Sequence, residues 1–164
     1  MSATGQSTEL WTSGIFAGLP ADFLEQLQSV GEIVELGPRE TLFSEHDPAT
    51  KVYVIASGEV QLAVCVPNNR TCRQIAVVGP GELLGWSAVT DRSRLFDTAR
   101  TLSPVSAWVI EGEKLLEVCR KIPGGGFELM HRIVSVLGER LTSTRMQLVE
   151  LSGAHLPSVA LESD

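Results

Sequence analysis

Short runs of apolar or alternating residues dominate the chain between residues 31 and 111, and turn residues such as Gly37-Pro38 separate them. Runs of this length and alternation are typical of β-strands. Many short strands at this spacing predict a β-sandwich, jelly roll or barrel. The predicted strands are Glu32–Leu36, Thr41–Phe43, Val52–Ala56, Glu59–Val66, Arg73–Val78, Glu82–Leu84, Asp97–Leu102 and Ala107–Ile110.

Helical spacing of apolar residues predicts three helices outside this region. The run from Pro123 to Gly126 is expected to separate the second helix from the third, because glycine and proline are poor helix formers. The predicted helices are residues 20–28, Glu113–Lys121 and Phe127–Leu151.

The third helix carries apolar residues in alternating steps of three and four, which is the a/d pattern of a coiled coil. A helix of about 25 residues spans roughly 37 Å, which is longer than a small β-domain needs to cover itself. The apolar stripe either packs along its own domain or is shared with a second copy of the chain. We favour the second interpretation and expect a homodimer. The expected interface residues are Phe127, Met130, Val134, Leu137, Leu141, Thr144 and Leu148.

One segment carries candidate binding chemistry: residues 79–89, with the sequence GPGELLGWSAV, called here the glycine loop. A helical turn that begins near Gly85 would present backbone N–H groups, which favour an anion. Arg92, Arg94 and Arg100 follow the loop, and an arginine beside backbone amides suits a phosphate group. Glycines that serve only β-turns would produce the same pattern, so both interpretations remain.

Length, composition and charge narrow the function classes. The chain has 164 residues, of which 43% are hydrophobic and 20% charged, as expected for one globular domain. A net charge of -7 argues against non-specific nucleic-acid binding. No apolar run is long enough for a membrane span, and the polar N-terminus does not resemble a secretory signal. We therefore expect a cytoplasmic protein with a flexible N-terminus at 1–13, one domain at 14–151 and a flexible tail at 152–164.

The three cysteines and three histidines have no metal-site spacing, so no metal ligand is predicted. Cys65 and Cys72 flank a predicted hairpin loop and are either a redox pair or two ordinary strand residues, with reduced thiols as the expectation. Ser87 lies in a segment that matches a nucleophile elbow over only part of its length. We therefore predict neither catalytic residues nor enzymatic activity.

Three local motifs follow one another in the chain: the hairpin Val52–Val60, the segment Gly79–Gly85, and the helical segment Glu139–Arg145. Together with the order of elements, they resemble the cyclic nucleotide-binding domain, in the form of the sensor half of catabolite-activator (CRP/FNR-type) regulators. The resemblance covers about residues 15–151. It implies a mainly β fold with flanking helices, namely an eight-stranded antiparallel jelly roll with a long C-terminal dimerisation helix. It also implies a regulatory role, and the DNA-reading domain of such regulators is not recognised in this sequence.

Two positions depart from the pattern of nucleotide-binding members. The resemblance places Trp86 where those members have the glutamate that accepts from the ribose hydroxyl, and an indole cannot accept a hydrogen bond. It places Leu95 where they have the arginine that pairs with the cyclic phosphate. Arg94, one residue earlier, would serve only if the loop shifts by one position, and Asp97 would repel a phosphate if it pointed inward. Thr144 matches the helix position whose side chain meets the base.

The resemblance implies a homodimeric, stand-alone regulatory sensor that binds a cyclic nucleotide, cyclic AMP or cyclic GMP, or another small anionic ligand, and acts on a downstream protein partner. The alternative is an interaction module that kept the fold and lost the ligand, with its pocket filled by Trp86, Leu95 and Phe96. We expect no DNA binding by this chain alone and no membrane association. The candidate ligand-binding residues are Gly81, Glu82, Leu83, Leu84, Gly85, Trp86, Ser87, Ala88, Arg94, Thr98 and Thr144.

Overall fold

The fold is that of a computed structural model, which describes residues 9–66, 71–158 and 160. Its strands are β1 (Glu32–Leu36), β2 (Thr41–Phe43), β3 (Lys51–Ser57), β4 (Val60–Val66), β5 (Thr71–Val78), β6 (Leu83–Leu84), β7 (Thr98–Thr101) and β8 (Val105–Glu111). They form two four-stranded antiparallel sheets, with the strand orders β1-β8-β3-β6 and β2-β7-β4-β5. The predicted mainly β fold is confirmed, and the predicted strand bounds agree with the observed ones to within two residues.

Strand β8 is an inner strand of the first sheet, between β1 and β3. Every residue from Val105 to Ile110 is buried, as expected for an apolar strand that is covered on both faces. Trp108 lies opposite Ile33 of β1 and Val54 of β3 and is 2% exposed. The mostly apolar run at 105–110 therefore forms an inner, buried strand of this sheet.

The hydrophobic core joins the two sheets. Its buried residues come from strands of both, and the segment before β7 adds Leu95, which is 6% exposed. Burial of a large aliphatic side chain typically contributes about 1.5–3 kcal/mol. The buried members of this cluster are Phe43, Ile55, Val60, Leu62, Val78, Leu84, Leu95, Ala99, Val105 and Ala107.

Strands β4 and β5 form a hairpin in which β5 is the edge strand of its sheet. Residues 71–75 of β5 are exposed. Cys65 lies directly opposite Cys72, and the two are joined by a disulfide bond. The expectation of reduced thiols is therefore wrong for this pair, because the antiparallel register brings the two side chains together. Cys119 is the free cysteine.

Three helices flank the sheets: α1 (Ala21–Val30), α2 (Gly112–Lys121) and α3 (Pro123–Ser152). The predicted break at residues 123–126 is wrong, because α3 begins at Pro123, a residue that fits the first position of a helix. A Cβ on Gly125 would lie 2.4 Å from Cγ of Phe23, and one on Gly126 would lie 2.6 Å from Cα of Cys119. These glycines therefore allow close helix packing inside the helix instead of ending it.

The segment before α1 is packed against the first sheet. Residues 9–12 are helical, a 3-10 turn follows at Gly14–Phe16, and Leu10 is 2% exposed. The ring of Trp11 stacks on Phe16 at 4.6 Å and meets Trp108 edge-on at 5.4 Å. The ordered chain thus begins before residue 14, whereas the predicted flexible residues 1–8 lie outside the described part.

The chain divides into two compact units, residues 1–133 and residues 134–164. The first contains both sheets, α1, α2 and the first part of α3. The second contains the rest of α3 and a 3-10 turn at Gly153–His155. None of the helices in the described ranges is long and apolar enough to cross a membrane.

Candidate ligand-binding site

The glycine loop follows β5, contains β6 and begins with a tight turn. The Glu82 carboxylate accepts a hydrogen bond from the Gly79 N–H at 2.7 Å, so this side chain holds the turn. Gly81 has φ +81, and its N–H donates to the carbonyl oxygen of Ile55 at 2.7 Å. The Ile55 N–H donates back to the carbonyl oxygen of Glu82 at 3.0 Å. The loop is therefore bonded through its backbone to β3.

Gly85 sets the second half of the loop. It has φ +73 and precedes a 3-10 turn at Trp86–Val89. A Cβ on Gly85 would lie 2.4 Å from the carbonyl oxygen of Lys51, so both the backbone conformation and the space require glycine. The first N–H groups of such a turn have no partner within it. A short helical turn thus begins directly after Gly85, as the sequence predicted.

Helix α2 packs against this 3-10 turn. A Cβ on Gly112 would lie 2.1 Å from the carbonyl oxygen of Ala88, and Ser87 is 3% exposed. The Gly112 N–H donates to the carbonyl oxygen of Thr50 at 2.9 Å. The turn is therefore held between β3 and the start of α2.

The N-terminal 3-10 turn is bonded to the glycine loop and to α3. The Ile15 N–H donates to the carbonyl oxygen of Gly81 at 3.0 Å. The Arg132 guanidinium donates to the carbonyl oxygens of Ile15 and Ala17 and pairs with Glu128 at 3.0 Å. Neither contact was predicted, because no local motif marks a hydrogen bond between such distant positions. The result is a continuous set of contacts from the loop through Ile15 to Arg132.

Tyr53 lies against the glycine loop. It pairs with Leu84 in the sheet, and a Cβ on Gly85 would lie 3.5 Å from Cδ2 of the Tyr53 ring. Its ring also packs on Phe43, with centroids 5.7 Å apart. Burial raises the pKa of the Tyr53 hydroxyl above its ordinary value of 10.0. Tyr53 lies within the hairpin motif Val52–Val60, but the sequence did not predict its position at the candidate site.

Arg94 is exposed, and its guanidinium donates to the carbonyl oxygen of His46 at 2.9 Å. His46 has φ +73, and Arg94 forms an isolated β-bridge with Pro48. The guanidinium is thus engaged by the loop between β2 and β3. Its predicted role as a substitute for the family arginine stays a prediction.

Leu95 is part of the hydrophobic core, and its backbone exchanges hydrogen bonds with residues 46 and 47. Phe96, the next residue, is 47% exposed, and the Arg92 guanidinium lies 4.5 Å from its ring centroid. The Phe96 ring therefore lies on the surface, which does not agree with the part of the alternative interpretation in which Phe96 fills the pocket. Trp86 is half-buried.

Thr98 is half-buried, and its hydroxyl accepts a hydrogen bond from the Glu45 N–H at 3.1 Å. The Glu45 carboxylate in turn accepts from the Cys65 N–H at 3.0 Å, and the Glu45 side chain is only 16% exposed. Sequence reasoning missed Glu45, because it connects β4 with β7 only in the folded chain. This residue links the β4–β5 hairpin to the start of β7.

The predicted interface residues lie along α3. In the first unit, Phe127 is 73% exposed, whereas Leu129 and Ile133 are buried. In the second unit, the apolar side chains of Val134, Leu141 and Leu148 are 51–65% exposed. Met130 and Leu137 are half-buried, and the exposed Thr144 donates its hydroxyl to the carbonyl oxygen of Arg140 within the helix. The a/d residues thus include large apolar side chains that are exposed in the single chain.

Comparison with known proteins identifies relatives of this fold. The family model for the cyclic nucleotide-binding domain matches residues 33–122. The CRP-like cAMP-activated global transcriptional regulator of Mycobacterium tuberculosis is 25% identical over 145 residues, which cover 88% of this chain. They cover 62% of the regulator, so the chain spans less than two thirds of that relative.

Two solved structures share the architecture. The catabolite activator protein of Thermus thermophilus superposes with a TM-score of 0.71 at 24% identity, covering 85% of this chain and 63% of that one. The N-terminal domain of a transcriptional regulator from Streptomyces coelicolor gives a TM-score of 0.66 at 27% identity, covering 79% of this chain and 92% of that one.

Proposed function

The chain belongs to the cyclic nucleotide-binding domain family, and from this premise we propose that it is a regulatory module whose glycine loop receives a small anionic ligand. The proposal is carried by the backbone of that loop. Left-handed Gly81 and Gly85 hold it against β3, and Gly85 is followed by a 3-10 turn, whose first N–H groups have no partner within the turn. Relatives of the chain include a regulator named as cAMP-activated, which supports a signalling ligand.

Cyclic AMP and cyclic GMP are the reference ligands, and we expect both to bind weakly. The family resemblance implies that Trp86 and Leu95 occupy the two positions whose charged side chains hold the nucleotide in other members. A hydrogen bond to a charged group contributes about 1.5–3 kcal/mol, so losing two lowers affinity by roughly a hundredfold or more. The burial of Leu95 in the core supports this expectation, because an aliphatic core side chain cannot donate hydrogen bonds to a phosphate as a guanidinium does.

The proposal includes homodimerisation through α3. The a/d residues repeat over more than three heptads, and Val134, Leu141 and Leu148 are exposed apolar side chains in the single chain. Apolar surface of this kind is stabilised when a second helix covers it. A ligand would act by favouring one arrangement of the paired helices over another, which requires different affinities for the two arrangements.

A second function is favoured by the same burial of Leu95. A module that lost its ligand but kept the fold would act by binding a downstream protein. In both cases the role is regulatory rather than catalytic, DNA binding by this chain alone is not expected, and a cytoplasmic location is part of the proposal. The two functions differ in one measurable property, the response to a small anion.

Isothermal titration calorimetry with cyclic AMP and cyclic GMP tests the first function, using the wild type and Arg94→Ala. Arg100→Ala is a matched control, because Arg100 is also exposed and also donates to the carbonyl of a left-handed residue, Arg39. Binding that Arg94→Ala abolishes and Arg100→Ala preserves would support the loop as the site. Micromolar cyclic AMP binding that survives Arg94→Ala would contradict the proposed role of Arg94 as the substitute for the family arginine. No heat with either nucleotide or with inorganic phosphate would favour the interaction module.

A further inference from the structure

The β4–β5 hairpin carries a pair of cysteines that the proposed function does not use. Cys65 and Cys72 are register partners with Cα atoms 3.9 Å apart, and they are joined by a disulfide bond. They lie one residue pair from the described end of the ladder, where Val66 is opposite Thr71. The antiparallel register itself places the two side chains next to each other, so the bond can form without any change in the pairing of β4 with β5.

The pair is accessible from solvent. Cys72 and its neighbours in β5 are exposed, and Cys65 is half-buried. Strand β5 is an edge strand, and β4 is its partner in the sheet. Thiol–disulfide exchange requires a thiolate to reach one sulfur of the bond, and exposed disulfides are the ones that exchange readily. Cys119 differs, because burial raises the pKa of its thiol, an effect that the nearby Arg120 partly offsets.

The pair is also connected to the candidate site by hydrogen bonds. The Cys65 N–H donates to the Glu45 carboxylate at 3.0 Å, and the Glu45 N–H donates to the Thr98 hydroxyl at 3.1 Å. Arg94 donates to the carbonyl oxygen of His46, the residue after Glu45. A change in the backbone at Cys65 therefore acts on a loop that contacts two candidate ligand-binding residues.

We propose that Cys65 and Cys72 form a reversible redox site that sets the conformation of the loop carrying Glu45. A low-molecular-weight disulfide is the oxidant: the Cys72 thiolate attacks it, one thiol leaves, and the Cys65 thiolate then displaces the second thiol from the mixed disulfide. Two protein thiols and one small disulfide become one protein disulfide and two small thiols. A small thiol reverses the sequence by the same two exchanges.

The chemical part of the proposal is tested without any ligand. The folded full-length protein is equilibrated in buffers of different glutathione to glutathione-disulfide ratio, quenched with acid, denatured, alkylated and weighed intact. We expect two species, one with a single alkyl group, on Cys119, and one with three, whose ratio follows the buffer in both directions. Circular dichroism should show the same fold throughout. A bond that is reduced only in denaturant, or thiols that do not reoxidise, would overturn the proposal.

Variants identify the residues involved. Cys119→Ser should leave the redox response unchanged, whereas Cys65→Ser and Cys72→Ser should each remove it and leave a stable mixed disulfide with glutathione on the remaining cysteine. An oxidised form of either single variant that carries no glutathione would overturn the assignment. The oxidised and reduced forms of the wild type also compare the protein with and without the disulfide, and this comparison needs no substitution.

The effect of the Cys65–Cys72 redox state on the candidate site rests on the proposed function, and a separate measurement tests it. Amide hydrogen exchange is compared between the oxidised and reduced wild type. We expect faster exchange in the reduced form at the Cys65 and Glu45 amides, because these N–H groups depend on the position of the loop. Unchanged exchange at both would overturn the coupling. A redox response without any nucleotide or phosphate binding would instead contradict the ligand part of the proposed function and leave the redox site in place.

Discussion

The Ile15 N–H donates a hydrogen bond of 3.0 Å to the carbonyl oxygen of Gly81, which joins the N-terminal 3-10 turn to the glycine loop. The residue before it, Gly14, has φ +55, and a Cβ there would lie 2.3 Å from that same oxygen. The two backbones are therefore in direct contact, without side chains between them. A substitution at either glycine must move one of the two segments.

The first prediction concerns this contact. Gly14→Ala should lower the free energy of unfolding more than Gly18→Ala does. Both residues have positive φ, which costs a non-glycine residue on the order of 1–3 kcal/mol, but Gly18 has no atom within 4 Å of an added Cβ. The difference between the two variants measures the contact with Gly81. Urea unfolding monitored by tryptophan fluorescence provides both values, and equal losses would contradict the close approach.

Neighbouring residues before β7 should differ sharply in their contribution to stability. Leu95→Ala should lower the free energy of unfolding by about 2–5 kcal/mol, because it leaves a cavity in the core. Phe96→Ala should cost about 1 kcal/mol or less, since it removes an exposed ring and one cation–π contact. Thermal unfolding of both variants tests this ranking. A small loss for Leu95→Ala would mean that the side chain is free to be replaced by a ligand-binding group.

The glycines at the start of α3 provide another matched pair. Gly124→Ala should stabilise the protein by roughly 0.5–1 kcal/mol, because an added Cβ meets nothing within 4 Å and alanine favours the helix. Gly125→Ala should destabilise it by about 1–3 kcal/mol, because its Cβ would meet the Phe23 ring. Chemical denaturation of both variants is the measurement. Stabilisation by both substitutions would show that α1 and α3 pack less closely here.

The dimer prediction is tested at Leu141. Leu141→Asp places a charge in the a/d stripe and should convert a dimer into a monomer. Ser143→Asp introduces the same charge off the stripe, at a position that the heptad places away from the partner, and should leave the dimer intact. Sedimentation velocity distinguishes the two states. Wild-type protein that sediments as a monomer at micromolar concentration would contradict the interface.

Stability should depend on the ionisation of Tyr53. Its pKa in the folded protein is raised by burial, so the unfolded chain releases this proton first. The stabilisation is fully present below the ordinary pKa of 10.0 and is lost as pH rises through the folded value. Tyr53 is the only tyrosine, so absorbance of the phenolate reports its titration directly. Cys119 is first replaced by serine, because burial raises the pKa of its thiol as well. In this Cys119→Ser background, Tyr53→Phe should reduce the loss of stability above pH 10.0. An unchanged dependence of the free energy of unfolding on pH would contradict the role of Tyr53.

The sheets and α1 could be predicted from the sequence because their hydrophobic periods are local. The glycine run at 123–126 could not, because its role depends on Phe23 and Cys119, which are distant in the chain or belong to another helix. The glycine pattern indicated the loop at residues 79–89, and the family resemblance implied that Trp86 and Leu95 depart from the nucleotide-binding pattern, which stays a prediction. Neither could identify Glu45 or Arg132, whose hydrogen bonds join positions far apart in the sequence.

Gly14, Gly85 and Gly112 each let backbone approach backbone around the glycine loop. The shape of the loop is consequently set by residues that carry no side chain, while its chemistry is set by the residues between them. A change of side chain at Trp86 would leave these three backbone contacts as they are. The architecture of the loop can therefore stay the same while the side chains that determine ligand specificity change.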